Sequence, residues 1–377
     1  YNSSKIKEAE QALKDLGFFK ETNVYTEDGS SSDQAKLIVD VEEQRTGEVN
    51  FGLGYSTLEG PFTSVTVKEK NVAGSGNEFH ANTTVSKKSL SCGLGIMNPA
   101  LFDKELQGTA DLYAKKSKFT KSYKETNYGS IFGLSYNLSE MWWQTLNYGI
   151  RLEKVSGINS NASAILRSQT RNATISEIGQ TLHFGKLDSW KEPTKGFELS
   201  YGTGLAGLGG TEKYIKHTFG GSTYRPLFSE DLILKASAET GMIQRMGKVI
   251  RVVDSYSLGY DSFRGFDFEG IGPRDSATND ALNGTRFWRA TLEIKFPLGL
   301  PDEWKVKASA FNDFGSLWKP GQKDKNTLDS KKMRASAGFG VMWTSPFGPI
   351  GLCYAVPYKR QKYDQARRLQ IQFSNLF

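Results

Sequence analysis

GEVNFGLGY, residues 47–55, alternates apolar side chains with polar or small ones from Glu48 to Tyr55. Successive side chains of an extended strand point to opposite faces. One face of this stretch is apolar and holds Val49, Phe51, Leu53 and Tyr55. A period of two over eight residues therefore predicts a β-strand with one apolar and one polar face.

The same alternation recurs along the chain, for example in RATLEIKF at 289–296, VKASAFNDFG at 306–315 and LQIQF at 369–373. About sixteen such segments follow one another from residue 46, joined by short turns and longer polar loops in alternation. We place them near 46–57, 62–70, 76–86, 89–97, 105–118, 126–137, 141–156, 172–184, 196–208, 211–224, 230–245, 286–297, 303–318, 331–344, 349–358 and 367–377.

The polar face of these strands distinguishes between two β architectures. A soluble β-sandwich would bury both inner faces in a dry core, but here the second face carries Glu, Lys, Asp and Arg, which such a core does not accept unpaired. An even number of alternating strands with unequal turns is typical of outer-membrane barrels. The sequence therefore predicts an all-β transmembrane barrel of sixteen antiparallel strands over residues 46–377.

Composition agrees with a barrel. The chain of 377 residues contains 39 Gly, 23 Phe, 16 Tyr and 7 Trp, but only 2 Cys and 3 His. No apolar run approaches the roughly 20 residues of a transmembrane helix. The net charge of +7 is spread along the chain, so nucleic acid is not an expected partner. Cys92 and Cys353 are far apart and suggest neither a disulfide framework nor a metal site.

Residues 1–45 differ from the rest. Residues 3–16 have apolar positions at helical spacing, and FFKETNVYTE and AKLIVDVEE read as two strands. A helix and two strands are too few for a core of their own. We expect this segment to be the last part of a preceding domain.

Enzyme interpretations find little support. His80, His183 and His217 have no spacing that would hold a metal, and GLAGLGG at 204–210 lacks a strand-to-helix context for a nucleotide. A hydrolase whose residues assemble from distant strands stays formally open. We predict no enzyme activity, catalytic residue, metal or cofactor.

Several stretches, in order along the chain, resemble the BamA family of outer-membrane β-barrel assembly factors. The matching motifs are LGFF at 16–19, VDVEEQRTGEVNFGLGYST at 39–57, NVAGSGN at 71–77, MNPALF at 97–102, FRGFDFEGIGP at 263–273, FNDFGSLW at 311–318 and MWTSPFGPIGLCYAVPY at 342–358. Their order and spacing make the resemblance specific. Mitochondrial, plastid and two-partner-secretion relatives share parts of the pattern.

The resemblance implies a domain organisation and a function. Residues 1–45 would be the C-terminal part of an α+β POTRA domain in the periplasm, and residues 46–377 a barrel in the bacterial outer membrane. The chain would insert and fold client barrels through a lateral gate between its first and last strands. Its partners would be unfolded barrel clients, accessory lipoproteins and outer-membrane lipids. The alternatives are a two-partner-secretion or organellar transport barrel and, less favoured, a passive porin.

The RGF motif, Arg264, Gly265 and Phe266, lies in a long loop at about 247–285. Unstructured loops of this length are usually functional or disordered. The resemblance implies that this loop six folds into the lumen, with Arg264 against acidic residues of strands twelve and thirteen. The alternation puts Glu293 and Asp313 on the inward face, which makes them the candidate partners. Gly265 would allow a tight turn, and Phe266 would anchor the loop by packing.

The resemblance also places the lateral gate. On the first strand we assign Val49, Asn50, Phe51, Gly52, Leu53 and Gly54, and on the last strand Leu369, Ile371, Phe373, Ser374 and Phe377. Glycine weakens a strand, so Gly52 and Gly54 should leave the lumen face of the first strand thinly packed. Where the family often has a glycine that kinks the last strand, this sequence has Ser374, so we expect weaker kinking and fuller pairing.

Overall fold

The structure is a computed structural model that describes residues 6, 10, 13, 17–29, 35–120, 122–169, 171–190, 192–247, 249–260, 262–345 and 348–373. Ile6, Glu10 and Leu13 are helical, and the rest of the predicted helix at 3–16 lies outside the described residues. Phe19–Asp28 (β1) and Ala35–Glu43 (β2) form an antiparallel two-stranded sheet of their own, with Val24 opposite Val39.

The described part of the chain contains eighteen further strands, and all but two belong to a closed barrel. In chain order they are Gly47–Ser56 (β3), Gly60–Glu69 (β4), Glu78–Ser86 (β5), Ser89–Asn98 (β6), Leu106–Ser117 (β7), Lys124–Asn137 (β8), Trp142–Ser156 (β9), Ala173–Leu187 (β10), Gly196–Ala206 (β11), Tyr214–Pro226 (β12), Ile233–Arg245 (β13), Arg274–Asp275 (β14), Arg286–Pro297 (β15), Val306–Trp318 (β16), Thr327–Leu328 (β17), Arg334–Ser345 (β18), Gly348–Lys359 (β19) and Leu369–Phe373 (β20). The exceptions, β14 and β17, pair with each other between loops.

Each barrel strand pairs antiparallel with its neighbours in chain order, and β20 closes the ring against β3. The prediction of a sixteen-stranded antiparallel barrel is thereby confirmed. Strand boundaries lie within three residues of those predicted, except at the end of β20, where the chain continues beyond the described residues. This prediction rested on the period of two, because that period identifies both a strand and its two faces.

The two faces of the barrel wall separate as the alternation requires. Apolar side chains cover the outside, where Phe51 is 78% and Phe339 66% exposed. Charged side chains such as Glu293 and Asp313 lie on the inner side, where both contact loop six. Such a wall places lipid outside and water or buried loops inside. Among the described residues, no helix is long and apolar enough to cross a membrane.

The apolar core lies among the loops at one mouth of the barrel. We call the end where β3 begins the near end, and the end where β3 finishes the far end. The long loops at 157–172, 246–285 and 319–333 all lie at the far end, and we call residues 246–285 loop six. The loop at 157–172 contains a short helix, Ala164–Ser168 (α1), capped by Ser163, whose Oγ accepts from the Leu166 N–H at 3.3 Å.

These loops bury three apolar clusters at the far end. One joins the loop at 157–172 to loop six, the second joins β10 and β12 to Ile250 of loop six, and the third lies within loop six and its wall contacts. The far mouth is therefore filled by packed loops that rest on the inner wall.

Candidate functional site

Loop six turns back into the barrel and packs against the inner wall. The rings of Phe263 and Phe266, at most 1% exposed, meet edge to face with centroids 5.3 Å apart. Phe287 of β15 and Leu317 of β16 complete the apolar cluster on the wall side. Removing these side chains from water stabilises the inward path of the loop.

Arg264 makes the polar part of this contact. Its Nε and Nη2 donate to the two carboxylate oxygens of Asp313 at 2.9 and 2.7 Å, and its Nη1 donates to Glu293 Oε1 at 3.0 Å. The guanidinium carbon lies 3.4 Å from the ring centroid of Phe311. A planar guanidinium suits both a bidentate carboxylate contact and stacking on an aromatic face. We call Arg264, Glu293 and Asp313 the arginine clamp.

Neighbouring groups orient the clamp. Thr291 Oγ1 donates to Asp313 Oδ1 at 2.9 Å, and the backbone N–H of Arg264 donates to Asp313 Oδ2 at 3.2 Å. Ser336 Oγ donates to the backbone oxygen of Arg264 at 2.6 Å. Because Asp313 is hydrogen-bonded on both oxygens, its carboxylate is held in the plane that the guanidinium needs.

Gly265 stands where the loop backbone comes closest to the wall. Its φ is +87°, and a Cβ at this position would lie 3.2 Å from the Cβ atoms of Ala355 and Ser336. Glycine adopts this conformation without strain and leaves the space free. The three residues of the motif therefore make different contacts: an ion pair, a close backbone approach and a fully buried ring at Phe266.

A polar cavity of about 590 Å³ adjoins the clamp inside the barrel. Its lining includes Arg264, Glu293 and Asp313, together with the ion pair between Arg289 and Glu239. The clamp is thus packed on one side and borders a polar space on the other. The Arg264 side chain is 21% exposed, whereas that of Asp313 is 5% exposed.

Loop six also contacts the segment that leads into the last strand. The backbone oxygen of Phe266 accepts from Gln370 Nε2 at 3.0 Å, and that of Gly265 accepts from the Arg367 N–H at 2.9 Å. The Asp267 N–H donates to the backbone oxygen of Gln365 at 2.9 Å. The motif is therefore attached to β20 as well as to β15 and β16.

Arg367 spans the junction of the first and last strands. Its Nε lies 3.0 Å from Asp267 Oδ1 in loop six, and its Nη1 donates to the backbone oxygen of Thr57 at 3.2 Å. Thr57 directly follows β3, and Arg367 shortly precedes β20. We call this set, Arg367 with Asp267 and Thr57, the Arg367 bridge. It was not predicted, because Asp267 lies in a loop without a period and Arg367 was assigned to the last predicted strand, whereas it precedes β20.

The contact between β20 and β3, which we call the seam, is short. Among the described residues, the ladder pairs only Gln372 with Ser56. The Thr57 N–H donates to the Ile371 oxygen at 2.9 Å, and the Ile371 N–H donates to Thr57 Oγ1 at 2.7 Å. β20 has five residues, whereas the other barrel strands have nine to fifteen. The seam is therefore the shortest ladder in the described barrel.

The predicted gate residues of the first strand divide between its two faces. Val49, Phe51 and Leu53 are exposed on the outside, whereas Asn50 and Gly54 are half-buried and Gly52 is buried. The expectation that glycines leave the lumen face thinly packed is wrong at Gly54. A Cβ there would lie 2.3 Å from Cζ of Phe62, the residue opposite on β4, so an aromatic ring covers this position.

Of the predicted gate residues on the last strand, Leu369 is exposed, Ile371 is half-buried, and Phe373 ends β20. Ser374 and Phe377 lie outside the described residues, so the expected effect of Ser374 on kinking stays a prediction. The seam register puts Ser56 opposite Gln372.

Two buried ionic clusters at the far end were not anticipated. Arg251 of loop six, 1% exposed, lies 2.7 Å from Glu153 of β9 and 2.8 Å from Asp254. Arg334 of β18 pairs with Asp364 of the β19–β20 loop at 3.0 Å, and both side chains are fully buried. These pairs attach loop six and the loop before β20 to the wall. Charge alone could not identify them, because Glu153 and Asp364 are distant in sequence from the arginines with which they pair.

Glu269 is a buried acid of loop six. Asn283 Nδ2 donates to its Oε1 at 3.0 Å, and Arg274 donates to its backbone oxygen. Burial raises the pKa of the Glu269 carboxyl to about 7, since desolvation outweighs these favourable contacts.

A family model, the Omp85 superfamily domain, matches residues 71–377. The chain belongs to the Omp85 superfamily. It is 28% identical over 374 residues to the outer membrane protein assembly factor BamA of Neorickettsia risticii, covering 98% of this chain and 50% of that protein. It is 24% identical to the BamA of Neisseria meningitidis, covering 100% of this chain and 53% of that protein. The chain thus spans about half the length of the curated relatives it matches.

Solved structures share the fold. BamA from Haemophilus ducreyi lacking POTRA domains 1–3 superposes with a TM-score of 0.83 at 22% identity, covering 98% of this chain and 77% of that one. CdiB from Acinetobacter baumannii gives a TM-score of 0.62 at 12% identity, covering 97% and 67%. The fold and the family together indicate a BamA-like barrel of the bacterial outer membrane.

Proposed function

We propose that this chain is the membrane part of an outer-membrane assembly factor, which inserts and folds client β-barrel proteins through an opening between β3 and β20. The observation that carries the proposal is the seam, where one residue pair closes a described barrel whose other ladders are all longer. The names of the relatives support the same role. A pore that only conducts has no use for a weak closing ladder.

The edge of β3 supplies the chemistry of insertion. On one side its residues pair with β4 from Gly47 to Ser56. On the seam side the residues from Gly47 to Tyr55 have no ladder partner among the described residues. An unpaired edge offers backbone N–H and C=O groups to an incoming strand, so a client strand can add there by β-augmentation.

Opening of this ladder costs little. Each backbone hydrogen bond contributes a net of only about 0.5–1.5 kcal/mol, and the described seam has few of them. Val49, Phe51 and Leu53 would face lipid beside the opening, and Leu369 and Ile371 would lie on its other margin. We assign Phe373, Ser374 and Phe377 to the same margin.

Loop six holds the barrel around this opening. In the proposal, the arginine clamp fixes the loop to β15 and β16, while Gln370 and the Arg367 bridge connect it to the seam. The loop then supports the far end of β20 from the inside, next to the edge of β3 that has no ladder partner among the described residues.

The remaining assignments follow from the same role. Residues 1–45 would be the C-terminal part of a periplasmic POTRA domain, which puts the near end of the barrel toward the periplasm. Unfolded barrel clients, accessory lipoproteins and outer-membrane lipids would be the partners. The separate two-stranded sheet of β1 and β2 is compatible with such a domain.

A disulfide across the seam tests the proposal. Cys92 is first replaced by serine and Cys353 by alanine. Ser56→Cys and Gln372→Cys would then face each other across the ladder. Directly opposed residues of an antiparallel pair have Cα atoms about 4.5–5.5 Å apart, within the range of a disulfide. The oxidised barrel should keep its fold and fail to insert client barrels in a reconstituted assay, and reduction should restore insertion.

The matched control is a disulfide between Ser64→Cys of β4 and Thr84→Cys of β5, an opposed pair away from the seam. It should leave insertion unchanged. Full insertion by verifiably crosslinked seam protein would refute the lateral opening. Equal ion conductance of both crosslinked forms, without any insertion by the uncrosslinked chain, would favour a pore. Secretion of a soluble partner would favour a transport barrel.

A further inference from the structure

The outer wall of β6 to β9 changes abruptly from apolar to basic side chains near the far end. Four outward-facing rows cross these strands. The first three consist of residues that are opposite one another in the ladders, and the fourth lies where the strands end. From the middle of the wall toward the far end, the rows are Leu94, Leu112, Ser130 and Ile150; Cys92, Ala114, Tyr128 and Leu152; Leu90, Lys116, Thr126 and Lys154; and finally Lys88, Lys118, Lys124 and Ser156.

The first two rows, which lie nearest the middle of the outer wall, are suited to lipid chains. Leu94, Leu112 and Leu152 are each more than half exposed, although they are apolar. Tyr128 is also exposed, at the row next to the lysines. Tyrosine prefers this boundary because its ring sits in an apolar layer and its hydroxyl in a polar one. The hydrocarbon of the membrane thus ends at about the row of Lys116 and Lys154.

The lysines beyond this boundary are close together. Lys116 and Lys154 flank Thr126 in one row. Nearer the far end, Lys124 stands opposite Ser156, and Lys118 directly follows β7, where its N–H donates to the Lys88 oxygen at 2.8 Å. Neighbouring strands are about 4.8 Å apart and successive outward residues about 7 Å apart, so the four ammonium groups fall within a patch roughly 10–15 Å across. We call Lys116, Lys118, Lys124 and Lys154 the lysine patch.

No acidic side chain of the described residues forms an ion pair with these four lysines. The acids on the same strands turn inward: Glu125 accepts from Asn127, and Glu153 pairs with Arg251 in the lumen. Lys88, at the edge of the patch, is different because its Nζ donates to the backbone oxygen of Leu58 at 2.6 Å. The four remaining lysines therefore have no ion-pair partner among the described side chains, and their mutual repulsion is unfavourable.

We propose that the lysine patch binds the phosphate groups of anionic lipid headgroups in the leaflet at the far end of the barrel. Lysine stems can lie along the apolar rows while their ammonium groups extend into the headgroup layer. Lysines near a membrane surface attract anionic lipids in this way. The inference needs only the membrane position of the barrel and does not depend on client insertion.

A membrane lipid fits this surface better than a soluble partner does. The apolar rows and the lysines form one continuous face, with the lysines directly above the exposed leucines. A lipid molecule has the same order of groups, with apolar chains below a phosphate. A soluble acidic protein or a nucleic acid could satisfy the lysines but would leave the leucine rows uncovered.

Cys92 provides a reporter inside the lipid-facing surface. It is exposed, stands in the row below the lysines and is one strand away from Lys116. With Cys353→Ala, a small fluorophore on Cys92 can be quenched by brominated lipid chains. The chain would be reconstituted in phosphatidylcholine vesicles that contain the same fraction of either brominated phosphatidylglycerol or brominated phosphatidylcholine.

We expect brominated phosphatidylglycerol to quench at least about twofold more than brominated phosphatidylcholine, because the patch enriches the anionic lipid. Raising the salt concentration should reduce this ratio, since headgroup attraction is screened. Replacing all four patch lysines with glutamine should bring the ratio to about one, and replacing them with arginine should keep it.

The control removes four positive charges elsewhere at the same end. Lys319, Lys325, Lys331 and Lys332 are exposed in the loop at 319–333, away from the outer wall of β6 to β9, and their glutamine variants should keep the native ratio. If the fourfold patch variant does not fold, the pairs Lys116→Gln with Lys154→Gln and Lys118→Gln with Lys124→Gln should each lower the ratio. A ratio near one in the native chain, or an equal loss in the control variant, would overturn the proposal.

Discussion

Arg264 combines three contacts that no other side chain could make together. Its guanidinium bonds both oxygens of Asp313, reaches Glu293 with a third nitrogen and lies flat on Phe311. A lysine would keep the charge, but it is a point donor and cannot bond the carboxylate in two places. The clamp therefore depends on the shape of the guanidinium as well as on its charge.

Arg264→Ala should loosen loop six. Removing one partner of a buried ion pair costs about 3–5 kcal/mol, but the polar cavity beside the clamp lowers this to roughly 2 kcal/mol. Arg264→Lys should lose about half as much, because it keeps the charge and loses the bidentate geometry. The measurement is hydrogen exchange of the loop-six amides in the reconstituted barrel.

Arg225→Ala is the control for this substitution, since Arg225 is exposed at the end of β12. It should leave the exchange of loop six unchanged. Identical exchange in Arg264→Ala and in the native chain would show that the apolar packing of Phe263 and Phe266 holds the loop without the clamp.

Glu269 should make loop six sensitive to pH. Its pKa is raised to about 7 in the folded chain. Between the ordinary glutamate pKa and pH 7, the folded state therefore keeps the Glu269 carboxyl protonated, whereas the unfolded state has lost that proton. The stability of the loop is then highest at low pH and falls as the pH rises through this window. Ionised Glu269 faces Asp280 and Glu125 as well as Arg274, so repulsion adds to the cost of desolvation.

Glu269→Gln should remove this dependence, because the amide oxygen can still accept from Asn283 and carries no charge. We expect the variant to stabilise loop six by on the order of 2 kcal/mol at pH 8 and to change it little at pH 4.5. Hydrogen exchange of loop six at the two pH values, corrected for intrinsic rates, measures this. An equal pH dependence in the variant and the native chain would show that Glu269 does not titrate in this range.

At the scale of elements, β20 depends on the loops beside it. A strand of five residues has few ladder bonds of its own, and β19 supplies five opposed pairs. The loop before β20 is held by the buried pair of Arg334 and Asp364, and its end is held by the Arg367 bridge. The position of the last strand is thus set by side chains outside the strand.

Arg367→Gln should weaken the far end of the seam. The pair with Asp267 is about one third exposed, so its loss should cost only about 0.5–1 kcal/mol, with the bond to Thr57 lost in addition. The Thr57 N–H donates across the seam, so its exchange rate should rise about two- to fivefold. Arg368→Gln, at an exposed neighbouring arginine, should leave that rate unchanged, and a similar rate in both variants would refute the bridge.

What the sequence could predict at this scale follows from periodicity. Alternation determined the strands and their inward faces, and therefore which acids could meet Arg264. It gave no access to contacts made by loop residues such as Asp267, whose partner Arg367 is a hundred residues away and was assigned to the last strand. It also could not place Phe62 over Gly54 or Ser56 opposite Gln372, because those contacts depend on the register between strands, which turns and loop lengths determine.

In the whole molecule, the length of strand pairing varies around the ring. Opposite the seam, β8, β9 and β10 have 14 or 15 residues each and pair along nearly their full length. The loop clusters at the far end rest partly on this side, through Val155 and Ile175. The seam side has short strands and depends on loop six for support. We expect such an arrangement to let one ladder open, as proposed, while the rest of the ring keeps its shape.

This distribution predicts an order of hydrogen exchange around the barrel. Amides of β20 and those of β3 on the seam side should exchange first, because few ladder bonds protect them. Amides of β8 to β10 should exchange last, since both of their ladders are long and their ends are covered by packed loops. The measurement is hydrogen exchange with mass spectrometry on the chain in lipid vesicles.

The crosslinked pair Ser56→Cys and Gln372→Cys tests whether the early exchange comes from opening of the seam. Oxidation of this pair should slow hydrogen exchange in β3 and β20 toward the rate of the other short strands and leave exchange in β8 to β10 unchanged. The crosslink between Ser64→Cys and Thr84→Cys should not slow exchange in β3 and β20. If the seam amides of the uncrosslinked chain were protected as well as those of β8 and β9, the barrel would be uniformly closed. A uniformly closed barrel has no lateral edge to offer a client strand.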